Sequence, residues 1–390
     1  MKRILIVSES FATGGIESSL INMANELVSF CQVDLFLYNP VGAMKDRLDK
    51  RVKIIEPTWR LNCIGMSLSQ TLHSRNFKHI LFRLFATVWT KAFNNKLPIN
   101  IAISHQPVLG NYDLAVAFHH ERRKKTVTSG FARVVDKCVH AKKKVAWLHY
   151  DAGMIDLDSE FNRSFYLQMD KVFCVSKSLI NRFVKHNACL TDKMDYCYNF
   201  LPYDLIKSQS LMEQEVKYEK GFICFSACRL SAEKGIVRAI NAFADIFHCN
   251  GDIRWYIAGE GNERDNITKA IINNGLERQV ILIGNQKNPY PYMKNADLVL
   301  VVSYHEAAPM VYLESKAVGT PIFSTLTSST RELLDDGKDS FICENSEAGL
   351  KKGFNYVINN KELVKAAKVH LASHIMTNNA SIQKIKELLN

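Results

Sequence analysis

Ser303-Tyr-His-Glu-Ala-Ala-Pro-Met-Val-Tyr-Leu-Glu314, followed by Gly319-Thr-Pro321, decides how this chain is read. Just before it, Leu298-Val-Leu-Val-Val302 is short, apolar and bounded by turn residues, the pattern of a strand buried in a parallel sheet. Pro309 suits the first turn of a helix, where a missing N–H costs nothing, and Gly319 suits the position just past its end. The stretch predicts a strand-to-helix junction, with Glu306 in the loop at the strand's carboxyl end and Glu314 about one turn inside the helix. Loops at that end of a parallel sheet are where α/β proteins take ligands, and helix N–H groups there can meet an anion or a hydroxyl.

Outward from this junction the same alternation repeats. Short apolar runs at Ile4–Val7, Val33–Tyr38, Leu114–Phe118, Val145–Leu148 and Val172–Val175 are separated by helical stretches. That pattern implies a parallel sheet covered on both faces. Tyr198-Asn-Phe-Leu-Pro-Tyr-Asp204 carries turn chemistry and leads into a polar stretch to Lys220, which reads as an interdomain junction. A second strand-helix series opens at Gly221-Phe-Ile-Cys-Phe-Ser226. The fold class expected is α/β with two Rossmann-like parallel-sheet domains: residues 1–200, a linker over 201–220, and residues 221–365. A final helix is expected from about Lys361 to Asn390, with 366–390 as a separate terminal segment. No G-x-G-x-x-G follows the first strand, so the dinucleotide fingerprint is missing.

The chain has 390 residues, 47% of them hydrophobic and 23% charged, as expected of folded domains that each bury a core. Its ten cysteines are scattered without C-x-x-C or zinc spacing, and Cys174, Cys224 and Cys343 sit in apolar runs. Buried reduced thiols in a cytosolic protein are expected. The apolar run near Met1 is only four residues and reads as a strand rather than a signal peptide. No run approaches the roughly 20 apolar residues of a membrane-spanning helix.

Net charge is +11. Basic residues cluster at Glu121-Arg-Arg-Lys-Lys125 and from Arg133 through Lys144, close to the apolar, aromatic segment Leu81–Trp89 with its one arginine. Contact with an anionic membrane surface through a basic N-terminal domain and a merely solvated basic face both fit. Nucleic acid is not expected, because no nucleic-acid module accompanies the charge.

The quoted stretch resembles the E-x7-E signature of retaining glycosyltransferases of family 4, and the resemblance extends over most of the chain. Ser226-Ala-Cys-Arg-Leu-Ser-Ala-Glu-Lys-Gly235 resembles the family's G-R-L-x-x-x-K-G segment, and Ile257-Ala-Gly-Glu-Gly261 its I-x-G-x-G turn. Val280–Gly284 and Asn288–Asp297 resemble the strand and helix before the signature, and Gly14-Gly15-Ile-Glu17 the glycine-rich loop after the first strand. Two positions depart from the pattern: Cys228 and Ala307 stand where glycine is usual. The resemblance implies a GT-B fold, with the two domains facing a central cleft and the last helix crossing back to the first domain.

A retaining sugar transferase must hold a diphosphate, stabilise the departing phosphate and fix the donor sugar's hydroxyls. Arg229 and Lys234, after the strand ending at Cys228, suit the phosphates and could stand in for a divalent metal, so no metal and no cofactor are expected. Glu306, with the backbone at Ala307, Ala308, Pro309 and Met310, is the candidate for the sugar, and a carboxylate such as Glu314 can accept two hydroxyl protons. The resemblance implies that Glu306 meets the donor hexose and Glu314 the ribose of the nucleotide. It also implies that His149, at the end of an apolar strand, faces the reacting centre. Asp151 close by, and His119 and His120 at the end of another apolar strand, are candidates for the acceptor side by their position alone. Gly14 and Gly15 permit close backbone approach to phosphate or acceptor.

These readings combine as transfer of a hexose or N-acetylhexosamine from a nucleoside diphosphate sugar, UDP first, to a lipid-linked or polymeric glycan in cell-envelope polysaccharide synthesis. Alternatives are a GT-B-fold nucleotide-sugar epimerase and a non-catalytic partner subunit or glycan-binding member.

Overall fold

The computed structural model describes residues 1–150 and 160–390. The chain divides into two compact units, Met1–Phe200 with Asn378–Asn390, and Leu201–Thr377.

The first unit is built on seven strands: β1 Arg3–Ser10, β2 Gln32–Asn39, β3 Lys53–Ile55, β4 Asn111–Ala117, β5 His140–Leu148, β6 Lys171–Cys174 and β7 Met194–Tyr196. They lie in the order β3-β2-β1-β4-β5-β6-β7, all parallel. Ile4, Leu5, Ile6 and Val7 of the interior strand β1 are fully buried, as expected of a parallel sheet covered on both faces. The order reverses between β1 and β4, which opens a crevice beyond their carboxyl ends.

The second unit has six: β8 Phe222–Ala227, β9 Ile253–Ala258, β10 Val280–Gly284, β11 Leu298–Val301, β12 Ile322–Thr325 and β13 Ser340–Cys343. Their order, β10-β9-β8-β11-β12-β13, is again all parallel and reverses between β8 and β11. One face is filled by Phe243, Phe247, Trp255, Phe323 and Phe354, and the other by Phe225, Tyr292 and Tyr312. All ten cysteines are free, with only Cys189 and Cys249 exposed. No helix among the described residues is long and apolar enough to cross a membrane.

Two expectations are corrected. The span 201–220 is not an open linker: it begins with a helix at Tyr203–Gln209, and Leu201 and Ile206 are buried against Ala317. Its polar remainder is tied down by Val216 N–H to the Tyr292 hydroxyl (3.0 Å) and by the Tyr218 hydroxyl to Tyr292 O (2.9 Å).

The final helix is two helices, Lys361–Ala372 in the second unit and Asn379–Leu389 in the first. The break follows from side-chain chemistry. Ser373 Oγ and His374 Nδ1 both bond the carbonyl of His370, at 2.7 Å each, which a continuing helix would need for its own N–H. The second helix is held by Ser381 Oγ on Tyr198 O (3.0 Å) and by Lys384 on both carboxylate oxygens of Asp195 (2.9 Å).

Candidate active site

Each unit gathers its chemistry at the crevice where its strand order reverses. In the second unit, β8 ends at Ala227, and a tight 3-10 turn, Ala232–Lys234, leads through Gly235 into the helix Ile236–Cys249. Gly235 has φ +67, and a Cβ there would lie 2.4 Å from Val302 O. Glycine is therefore required for the turn to lie against the end of β11. That packing delivers Lys234 Nζ to Glu306 Oε1 at 2.7 Å, and Ser303 Oγ donates to the same oxygen at 2.7 Å.

Burial pulls the Lys234 ammonium down, but the charge and hydrogen bond of Glu306 more than offset it, so its pKa ends above the ordinary lysine value. Lys234 is thus a cation held against a carboxylate. Arg229 stands exposed on the same loop. Cys228 is half-buried and its thiol is pushed up to about 12, mainly by burial, so it is neutral. Neither Cys228 nor Ala307 has positive φ, so neither side chain strains the backbone where the family pattern has glycine.

The Glu306 loop is also braced from behind. Tyr304 N–H bonds Glu233 O at 2.9 Å, and Arg238 lies 3.8 Å from the Tyr304 ring centre. Arg238 also donates to Val302 O (3.0 Å) and Asn345 Oδ1 (2.9 Å), and Asn345 Nδ2 donates to Tyr304 O (2.9 Å). Ser303, Arg238 and Asn345 are the supporting residues that sequence reasoning missed. Asn345 and Arg238 are distant in sequence from Glu306, and no local pattern marks them.

Pro309 is the N-cap of the helix Met310–Ala317, one position before its first turn, and Ala307 and Ala308 lie in the loop ahead of it. Glu314 is the helix's fifth residue, and its Oε1 accepts from the Tyr290 hydroxyl at 3.4 Å. Gly319, with φ +81, ends the helix as its sequence position predicts.

In the first unit, Gly14 is extended at φ −179, a conformation open to any residue. A Cβ there would meet only the Glu17 carboxylate, the far end of a flexible side chain that can move aside, so neither conformation nor space demands glycine. Gly15 opens the helix Gly15–Leu27, so an acidic side chain of the chain itself already lies at this helix N-terminus.

His119, His120 and His149 are all buried just beyond β4 and β5. His119 Nδ1 is 2.9 Å from Ser8 Oγ, and its Nε2 lies 3.6 Å from Glu9 and 3.9 Å from Glu17. Burial lowers the pKa of all three rings, that of His149 to about 3, so they are neutral near pH 7. His149 packs on Phe118, with ring centres 4.5 Å apart, and bonds its backbone. Its Nε2, like His120 Nδ1, is buried without a hydrogen-bond partner among the described residues. Such an orphan at a strand end is a place for a ligand group. Asp151 lies outside the described residues.

The two basic clusters do not form one patch. Glu121 is fully buried and accepts from Ser129 Oγ (2.7 Å), Gly130 N–H (2.8 Å), Ala132 N–H (2.9 Å) and the buried Arg133 (3.4 Å). Arg122 is ion-paired with Glu9. Lys142 pairs with Asp113 in the amino-terminal half of β5, whereas the exposed Arg123, Lys124 and Lys125 follow the carboxyl end of β4. Charge spacing alone did not reveal that the strand separates them.

Two all-parallel α/β units of seven and six strands are the building blocks of the GT-B fold. Residues 207–369 match the family described as glycosyl transferases group 1. The chain is 27% identical over 181 residues to the N-acetyl-alpha-D-glucosaminyl L-malate synthase of Bacillus anthracis, covering 45% of this chain and 47% of that one. It is 27% identical over 205 residues to the N-acetylgalactosamine-N,N'-diacetylbacillosaminyl-diphospho-undecaprenol 4-alpha-N-acetylgalactosaminyltransferase of Campylobacter jejuni, covering 52% and 54%. The chain thus spans about half the length of these curated relatives. In fold it is similar to Anabaena HepE, solved in complex with UDP, with a TM-score of 0.70 at 20% identity, covering 100% of this chain and 99% of that one.

Proposed function

We propose that the protein is a retaining glycosyltransferase of the family 4 type that moves a hexose or N-acetylhexosamine from a UDP-sugar to a lipid-linked or polymeric glycan. The observation that carries this is the Lys234–Glu306 pair at the β8–β11 reversal, with Arg229 exposed on the same loop. Arg229 and Lys234 hold the diphosphate and stabilise the leaving phosphate, supplying the charge that a divalent ion supplies in other enzymes. Both bonds to Glu306 fall on Oε1, which directs Oε2 to a hydroxyl of the donor sugar. The backbone at Ala307, Ala308, Pro309 and Met310 lines the sugar, and Glu314 accepts from the ribose hydroxyls.

In the first unit, the His149 bond to Phe118 selects the neutral tautomer whose Nε2 accepts a hydroxyl proton. His119, His120 and Asp151 serve the acceptor side, and Gly14 and Gly15 let backbone approach the donor. The setting is cytoplasmic, at the anionic inner face of a membrane, in cell-envelope polysaccharide synthesis. Support for that setting comes from the Campylobacter relative, whose name specifies a diphospho-undecaprenol acceptor.

The test is transfer from a panel of UDP-, GDP- and ADP-sugars to a glycolipid extract, followed by mass spectrometry. Glu306→Ala and Arg229→Ala should each lose at least about 100-fold in rate. Turnover at the wild-type rate in both variants contradicts the assignment, and conversion of the donor to its epimer without acceptor, read by NMR because epimers share one mass, identifies an epimerase.

A further inference from the structure

The helix Phe77–Ala92 is amphipathic the wrong way round for a soluble protein. Its single arginine, Arg83, points inward, where Nη1 donates to Cys63 O and Ile64 O at 3.1 Å each. Those carbonyls close the helix Trp59–Gly65. Ala86 and Thr90 bury on the same face. The opposite face, at spacings i, i+4, i+7, i+8 and i+11, is Phe77, Leu81, Leu84, Phe85 and Val88, and these are 71%, 51%, 43%, 36% and 67% exposed. A contiguous apolar stripe of this kind marks an interaction surface.

The charge around the stripe selects its partner. No Asp or Glu occurs between Glu56 and Asp113, whereas Arg60, Arg75, Lys78, Arg83, Lys91 and Lys96 do. Lys125 Nζ donates to Lys91 O (2.8 Å) and Ala92 O (2.9 Å), which docks the exposed Arg123–Lys125 loop at the helix's C-terminal end. We propose that this helix face, rimmed by Arg75, Lys78, Lys91, Lys96 and Arg123–Lys125, inserts into the surface of an anionic phospholipid bilayer. Apolar residues enter the headgroup boundary while the lysines and arginines meet lipid phosphates. A second copy fits less well, because face-to-face packing would bring like charges together.

This deepens the membrane setting proposed above and names its contact surface. It moves that surface away from Arg133–Lys144, whose arginine is buried and whose Lys142 and Lys144 are bonded within the unit.

The test is co-sedimentation of the full chain with phosphatidylcholine vesicles, with and without phosphatidylglycerol. The wild type should pellet only with the anionic vesicles and be released as salt rises. Leu84→Glu/Val88→Glu should lower partitioning by about tenfold or more, since it places two charges in the inserted face. As both positions are exposed, the urea midpoint and the UDP-induced thermal shift should stay unchanged. If the wild type ignores anionic vesicles, or the double variant pellets as well as the wild type, the proposal fails. If the wild type alone is a dimer in sedimentation velocity and the variant a monomer, a second copy covers the face and the proposal also fails. In each failing case a retained UDP shift leaves the transferase reading standing, and its loss would point to the site instead.

Discussion

Glu306 accepts two hydrogen bonds on one oxygen, from Lys234 and Ser303, and its side chain is only 11% exposed. Removing the cation alone strands a largely buried carboxylate. Lys234→Met should therefore cost about 1–3 kcal/mol in urea unfolding, and adding Glu306→Gln should restore most of it. If the pair is also the donor site, the double variant regains stability but not turnover. A double variant that is both stable and active would show the pair to be purely structural.

His149 offers a second handle at this scale. Its folded pKa of about 3 lies below the ordinary 6.5, chiefly because burial disfavours the charged ring. The unfolded chain therefore binds a proton that the folded chain does not, and stability falls as pH drops from about 6.5 towards 3. The slope is at most about 1.4 kcal/mol per pH unit for this one group. His119 and His120 add to the fall, while Glu9, whose carboxyl is raised by burial, opposes it at the acidic end. Urea midpoints from pH 7 to 4 should decline less steeply in His149→Gln than in the wild type. Parallel curves would mean that His149 is solvated.

Among the elements, the strand–loop–helix units that carry the candidate site were legible because each has a strong local signature. Leu298–Val301 is uniformly apolar, Gly319 is the αL residue that ends its helix, and Gly235 marks the turn after β8. The elements that were missed lack such signatures. β3 and β7 are three residues each, half-buried edge strands containing Lys53 and Asp195. The helix Tyr203–Gln209 lies in a polar stretch and forms because Leu201 and Ile206 have a groove to fill. The break after Ala372 depends on two side chains competing for one carbonyl.

The two glycines give a test at this scale. Gly235→Ala meets both positive φ and the Val302 carbonyl, and should destabilise by about 2–4 kcal/mol. Gly319→Ala meets only positive φ, with nothing within 4 Å, and should cost about 1 kcal/mol. Equal costs in thermal unfolding would contradict the close approach that brings Lys234 to Glu306.

For the whole molecule, the division into two parallel-sheet units was readable from the repeated strand-helix period and the turn near Pro202. The inverted helix Phe77–Ala92 was only half readable. Its aromatic, apolar composition is plain in sequence, but the direction Arg83 points is fixed by the carbonyls of Cys63 and Ile64. The partners of Glu121 were likewise hidden, since its neighbours Arg122–Lys125 make it look like part of a charged surface.

Because Arg229 and Lys234 are assigned the role of the metal, chelation with EDTA should leave the transfer rate unchanged within about twofold. A loss restored by a divalent ion would overturn that assignment.

Diphosphate binding by Arg229 and Lys234 is tested by calorimetric titration of UDP into the wild type and into Arg229→Ala/Lys234→Ala. The wild type should bind UDP measurably and the double variant about 100-fold more weakly, because the two cations proposed to make charge-assisted hydrogen bonds to the phosphates are removed. Equal affinity in the two proteins, or no UDP binding by the wild type, contradicts that role.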